Sequence, residues 1–201
     1  MVKSVVNSYR VPWKSQPVLL TFTANIMAPL FELLERCRGV LQNRVYHPEG
    51  DVFVHSLQVM QWAFKESIDT DLILAAMLHD IGKAVSSLGH DKIGADHVKP
   101  YVSLKTHWLI ENHMRFWQLM MGDMKKKSKI VELIEHPFLT DLLQLARWDH
   151  LGRDPHVVIA YDKDGIIDAL NCCVDKRFGP ANLYHADRGS RKREPVNHAN
   201  A

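Results

Sequence analysis

The segment DLILAAMLHD at 71–80 is apolar on nearly every face of a helix and closes on a histidine and an aspartate. An element of that kind needs neighbours on all sides, so it has to stand at the centre of the fold. Thr70 is placed to cap it and Gly82 to end it. Helical spacing elsewhere supplies the surrounding elements. From Pro29, PLFELLERCRGVLQNR carries Leu30, Leu33, Leu34, Val40 and Leu41 on one face. Asp51 is an N-cap for VFVHSLQVMQWAFKE, and Gly89-His90-Asp91 opens a further helix. LKTHWLIENHMRFWQLM follows Pro100, and a charged stretch leads to PFLTDLLQLARWDHLGRD after Pro137. DGIIDALNCCVDK is the last helix. VVIAY at 157–161 is the only strand-like run, and one run makes no sheet. The expected fold is all-α: a compact helical bundle.

With 201 residues the chain fits one domain. The expected division is an irregular lead-in at 1–27, a helical domain at 28–155, and a helical extension at 156–186 packed on it. A polar, disordered tail is expected at 187–201. No apolar run approaches the roughly 20 residues of a membrane span, and MVKSVVNSYRVPWKS lacks the apolar stretch of a secretory leader. Cys37, Cys172 and Cys173 have neither disulfide nor zinc spacing, which points to a reduced, cytoplasmic protein. The net charge of +2 favours no partner. Lys125-Lys126-Lys127 and the basic segment Arg188 to Arg193 read as solvated surface or tail, so nucleic-acid contact has no support from net charge.

Polar groups on apolar faces carry the chemistry. Residues three or four positions away report what a helical side chain meets. His55 has Val52 and Val59; His79 has Ala75 and Ala76; Asp80 has Ala76 and Met77. Asp149 sits above Leu145 and Ala146, and His113 lies between Leu109, Ile110, Phe116 and Trp117. No Lys or Arg is placed as a ready partner for Asp80 or Asp149. A buried carboxylate costs several kcal/mol unless paired. A divalent cation would offset both carboxylates and accept neutral imidazole nitrogens as well. His55, His79, Asp80 and Asp149 therefore form a candidate four-ligand site in the bundle core.

The string LILAAMLHDIGK at 72–83 resembles the motif of the HD metal-dependent phosphohydrolase superfamily. HPEGDVFVHSLQV at 47–59, GHDKIGA at 89–95, WLIENHMRF at 108–116 and LLQLARWDHLGRD at 142–154 follow in order. Together they resemble the HD subdomain of bacterial tRNA nucleotidyltransferases and poly(A) polymerase-like enzymes, over roughly residues 28–155. The resemblance implies that His55 is the first metal ligand, His79 and Asp80 the namesake pair, and Asp149 the last. It gives His90 and His113 the positions that hold a second metal in dinuclear members, and Lys83 a place near substrate phosphate. The chain departs from those relatives in leaving no room for a nucleotidyltransferase domain, and it lacks the GYP tripeptide of cyclic-di-GMP phosphodiesterases. A stand-alone HD protein is the expectation.

The function expected is hydrolysis of a phosphoester in a nucleotide or related small molecule by metal-activated water. Asp80 is the candidate to orient the water and take its proton, and Lys83 and Arg153 are candidates to meet the phosphate. The histidine-rich set suits Mn, Fe, Co, Ni or Zn, with Mg less natural for imidazole, and one or two ions both stay open. Two other readings remain: an HD-type diiron oxygenase, and a non-catalytic module binding RNA or nucleotide. His47 reads as a loop residue before Pro48, and Trp108, Trp117 and Trp148 as core packing.

Overall fold

A computed structural model describes residues 27–157 and 159–178, with side chains as far as residue 171. The described elements are α1 (Met27–Glu35), α2 (Val52–Glu66), α3 (Thr70–Leu78), a 3-10 turn (Ile81–Ala84), α4 (His90–Val98), α5 (Leu104–Met120), α6 (Lys127–Ile134), α7 (Leu139–Leu151) and α8 (Lys163–Phe178). No strand occurs among the described residues, and the fold is all-α. Residues 1–26 of the expected lead-in, the polar tail, and Val158 within VVIAY lie outside the described residues, whereas Met27, placed at the end of that lead-in, is the first residue of α1.

Every residue of α3 is buried. Helices α1, α2, α5, α7 and α8 pack against it, so the apolar segment is central, as its composition requires. Leu72, Ile73, Leu74, Met77 and Leu78 together contribute on the order of 10 kcal/mol of apolar burial before conformational entropy is counted. Polar contacts fix how α5 crosses α3. Buried Asp71 accepts from Ser103 Oγ at 2.7 Å and Thr106 Oγ1 at 3.1 Å. Lys105 Nζ bridges Asp69 at 2.8 Å and Asp141 at 2.6 Å, joining the start of α3 to α7.

Asp51 caps α2 as expected: Oδ1 accepts from the Val54 amide at 3.1 Å, while Oδ2 takes the Gly39 amide at 2.7 Å. Three local expectations are corrected. The first helix stops at Glu35, because Gly39 at φ 78° turns the chain out of helical conformation. Val40 and Leu41 then lie in a loop, with Leu41 in an isolated bridge to Asp51. Asp69, not Thr70, caps α3 by accepting the Asp71 amide at 3.0 Å, so Thr70 becomes the first helical residue. The charged stretch after α5 contains the short helix α6.

Candidate metal centre

Six buried side chains converge from five elements. His55 comes from α2, His79 caps the C-terminus of α3 and Asp80 follows it, His90 is the first residue of α4, His113 is midway along α5, and Asp149 is near the end of α7. All six candidate ligands come together. Asp80 divides them into two groups. Its Oδ2 lies 3.5 Å from His79 Nε2 and 3.8 Å from His55 Nε2. Its Oδ1 lies 3.2 Å from His90 Nε2 and 3.6 Å from His113 Nε2. Asp149 Oδ1 completes the first group, 3.2 Å from His55 Nε2.

Backbone carbonyls settle which ring atoms face inward. Nδ1 of His79 donates to Ala76 O at 3.0 Å, that of His90 to Ser87 O at 2.8 Å, and that of His113 to Ile110 O at 2.7 Å. His55 Nδ1 donates to Gly152 O at 3.0 Å. A carbonyl only accepts, so each Nδ1 carries the proton and each neutral ring turns the lone pair of Nε2 to the interior. Those nitrogens meet in pairs, His55 with His79 at 3.3 Å and His90 with His113 at 3.2 Å. When both rings of a pair are neutral in this tautomer, neither offers the other a donor. A cation between them satisfies both, and the imidazole and carboxylate donor set fits a divalent transition metal.

Two backbone approaches hold the arrangement. A Cβ on Gly152 would meet Val59 Cγ2 at 2.5 Å, so the glycine lets α7 close on α2 and brings its carbonyl to His55. A Cβ on Gly82 would sit 2.7 Å from the Gly94 nitrogen and 2.8 Å from the His90 carbonyl carbon, so the 3-10 turn rests directly on α4.

The expectation that no basic residue pairs with the two aspartates is wrong. Lys83 Nζ lies 2.6 Å from Asp80 Oδ2, because the 3-10 turn brings it back at three residues' distance. Arg153 Nη2 lies 2.8 Å from Asp149 Oδ1, folded back past the end of α7. Both carboxyls are held well below the usual carboxylate range; burial opposes this, and the imidazoles with Lys83 on one side and Arg153 on the other outweigh it. Burial pushes His79 down to about 3. Burial would also lower His55, but the Asp149 and Glu49 carboxylates beside it push it up to about 9.

A profile of the HD domain family matches residues 52–154, half of the chain. The chain belongs to the HD domain family. Membership places it in the metal-dependent phosphohydrolase superfamily, whose domains bind divalent metals. Among curated proteins it is similar to the multifunctional CCA protein of Thioalkalivibrio sulfidiphilus, 39% identical over 77 residues, covering 35% of this chain and 19% of the relative. That of Acinetobacter baumannii is 27% identical over 157 residues, covering 75% of this chain and 35% of the relative. That of Nitrosococcus oceani is 44% identical over 57 residues, covering 28% and 14%. The HD chain thus spans about a third or less of the length of these relatives.

Sequence reasoning missed three contributors to the HD centre. Glu49, its side chain fully buried, has Oε1 2.8 Å from His55 Nδ1 and 3.0 Å from His47 Nδ1. Burial would raise that carboxyl, yet the two imidazoles bring it down to about 2. Trp117, read as packing, donates from Nε1 to Asp149 Oδ2 at 2.9 Å. Gln42 Oε1 accepts from Lys83 Nζ at 2.6 Å. Trp148 is core, as expected, while Trp108 stacks on His136 at 3.7 Å. Among the described residues, no helix is long and apolar enough to cross a membrane.

Proposed function

We propose that this HD protein hydrolyses a phosphoester of a nucleotide or related small molecule, using divalent metal held by His55, His79, Asp80 and Asp149, and by Asp80, His90 and His113. The observation that carries the reading is the Asp80 carboxylate, with one oxygen turned to each group of inward-facing imidazoles. When bound, a divalent ion supplies Lewis acidity toward a phosphoryl oxygen and a nucleophile at neutral pH. We infer two ions, drawn from Mn, Fe, Co, Ni or Zn. The curated relatives' name, multifunctional CCA protein, supports a nucleotide or nucleic-acid phosphoester as substrate. A cytoplasmic setting agrees with a free, buried Cys37.

The chain's own groups take defined parts. Asp80 accepts a hydrogen bond from the attacking water and aims it. Lys83 has three N–H donors, and Asp80 and Gln42 take two, leaving the third for a phosphoryl oxygen. Arg153 is largely engaged: Nε and Nη2 meet Asp149, Nη1 meets the Tyr46 carbonyl, and the guanidinium lies 5.3 Å from the Trp117 ring centroid. Its part is mainly to hold Asp149, with two N–H groups left for substrate.

The test combines metal analysis with a panel of nucleoside mono-, di- and triphosphates, cyclic nucleotides and bis-p-nitrophenyl phosphate, with Mn, Co, Ni and Mg supplied in parallel. Metal-dependent phosphate or nitrophenol release, lost in Asp80→Ala, is expected. Equal turnover in wild type and Asp80→Ala would sink the reading. Iron content with oxygen uptake and no phosphate release would select the oxygenase instead.

A further inference from the structure

A cleft of about 930 Å³ lies between the start of α4, one face of α5, and α6. That size is near the upper end of what small-molecule ligands occupy, about 300–1,000 Å³. Buried His90 contributes to its wall, and His90 Nε2 is 3.2 Å from Asp80 Oδ1, so the cleft begins at the second imidazole group. Five cations line it, Lys92, Arg115, Lys125, Lys126 and Lys129, against the acids Asp91, Glu111 and Glu132.

Their hydrogen bonds sort these charges. Arg115 is fixed by Asn112 Oδ1 at 2.9 Å, the Lys129 carbonyl at 2.9 Å and Glu132 Oε1 at 3.2 Å. Lys129 Nζ lies 2.6 Å from Glu132 Oε2, so two cations share that one carboxylate. Lys125 Nζ donates to the Gly122 carbonyl at 2.5 Å. The ammonium groups of Lys92 and Lys126 have no hydrogen-bond or ion-pair partner among the described residues. The cleft therefore holds a surplus of positive charge, part of it ordered in advance by Arg115. Trp108, Met114 and Met124 also line it, and His136 fixes the plane of the Trp108 indole. Trp108 and Arg115 are two turns apart on α5, roughly 10 Å along its axis, so one helix face offers an aromatic surface and a cation together.

We propose that this cleft seats the outer phosphates of the substrate, which is a mononucleotide carrying two or more phosphate groups. Its scissile phosphoryl lies at the imidazole groups, its remaining phosphates meet Lys92, Lys126 and Arg115, and its base packs on the Trp108 side. This rests on the hydrolase reading above for the position of the scissile group, but not for binding. A nucleic-acid strand is less favoured, because the cation surplus is gathered in one cleft rather than along a track.

The test measures binding by calorimetry on the purified protein with its bound metal, using adenosine, AMP, ADP and the β,γ-imido analogue of ATP. Affinity is expected to rise with each phosphate. The Lys92→Glu/Lys126→Glu variant, folded by circular dichroism, is expected to bind the triphosphate analogue at least about tenfold more weakly, the scale of two exposed ion contacts. As a check needing no variant, salt raised from about 0.1 M to about 1 M shortens the screening length from about 10 Å to about 3 Å, and should weaken the triphosphate analogue far more than AMP. Equal binding of AMP and the triphosphate analogue, or unchanged binding by the variant, overturns the proposal. So does affinity for oligoadenylate that climbs with strand length past that of the triphosphate. Lysine-dependent nucleotide binding without turnover of any phosphoester would instead sink the hydrolase reading and leave the cleft standing.

Discussion

Gly82→Ala tests whether close approach of the backbone builds the second imidazole group. Gly82 does not sit at positive φ, so alanine suits its backbone and only space is at issue. The new Cβ would lie 2.7 Å from the Gly94 nitrogen and 2.8 Å from the His90 carbonyl carbon, whereas real Cβ atoms essentially never come within 3.0 Å. The His90 carbonyl oxygen is closer still, and all three atoms are backbone, so no side chain can swing aside and α4 has to withdraw by at least several tenths of an ångström. His90 is the first residue of α4 and moves with it. Metal ligands tolerate about 0.2 Å of error, so the Asp80–His90–His113 group loses most of its affinity. The group formed by His55, His79, Asp80 and Asp149 draws nothing from α4 and keeps its own. Overpacking of this kind costs about 1–3 kcal/mol, which for a chain of this size lowers Tm by roughly 2–12 °C. Metal per chain by elemental analysis, with a Mn titration of chelator-treated protein, should fall from two ions to one while circular dichroism stays helical. A folded variant that takes up both ions with unchanged affinity would refute the argument, as would a wild-type chain that takes up only one.

Other expectations follow from contacts further out. Glu49→Gln keeps the shape of the side chain but removes the charge behind His55, and outer partners of this kind are worth about 10–100-fold in metal affinity; competition with a chromogenic chelator measures it, and equal affinities would show Glu49 to be a bystander. Lys105→Met removes two part-buried ion pairs and should lower Tm by about 2–4 °C, allowing about 1 kcal/mol after solvent screening. Burial alone would lower the Lys105 pKa, but Asp141 and Asp69 raise it above its usual 10.5, so its stabilisation is fully present below that pH and fades as pH rises through the folded value. The Tm difference should therefore hold from pH 7 to about 9 and shrink above about 10.5; a difference that vanishes on acidification to about pH 6 would contradict the assignment. Burial, with the Asp80 and Asp51 charges, pushes the fully buried Cys37 thiol up to about 12. Iodoacetamide at about pH 8 should leave it unmodified until the chain unfolds, read by peptide mass mapping, and prompt labelling of the native protein would disprove its burial.

The central helix was legible because an apolar run ending in His-Asp admits few placements. The convergence of His55, His79, His90, His113 and Asp149 was legible from apolar neighbours and from the resemblance of their motifs. What escaped were contacts that periodicity does not encode. Val40 and Leu41 keep helical spacing across Gly39, yet the positive φ there ends the helix first. Glu49 lies in HPEGD, where Pro48 and Gly50 signal a turn and hide a carboxylate that folds inward. Trp117 on an apolar face reads as packing, because nothing in the spacing shows where an indole N–H points. Lys83 and Arg153 both follow helix ends, beyond the reach of a periodic rule.

Lys83 and Arg153 change what the centre requires of an ion. Paired with Lys83 and Arg153, the aspartates no longer require a metal for neutrality, and the case passes to the imidazoles. With every Nδ1 on a carbonyl, the facing Nε2 atoms accept either a proton or a metal, and His55, held at about 9, carries the proton in a metal-free chain at neutral pH. Charge then favours one class of substrate. Asp80, Asp149 and Glu49 stand against Lys83 and Arg153, leaving one negative charge when the imidazoles are neutral. A single divalent ion makes the centre positive by one, and two ions by three. A buried centre of that sign is costly until an anion enters it. A phosphoryl group with its attacking oxygen supplies that anion directly, whereas a neutral organic substrate leaves the charge in place, so the same ligands that admit an oxygenase favour a phosphohydrolase.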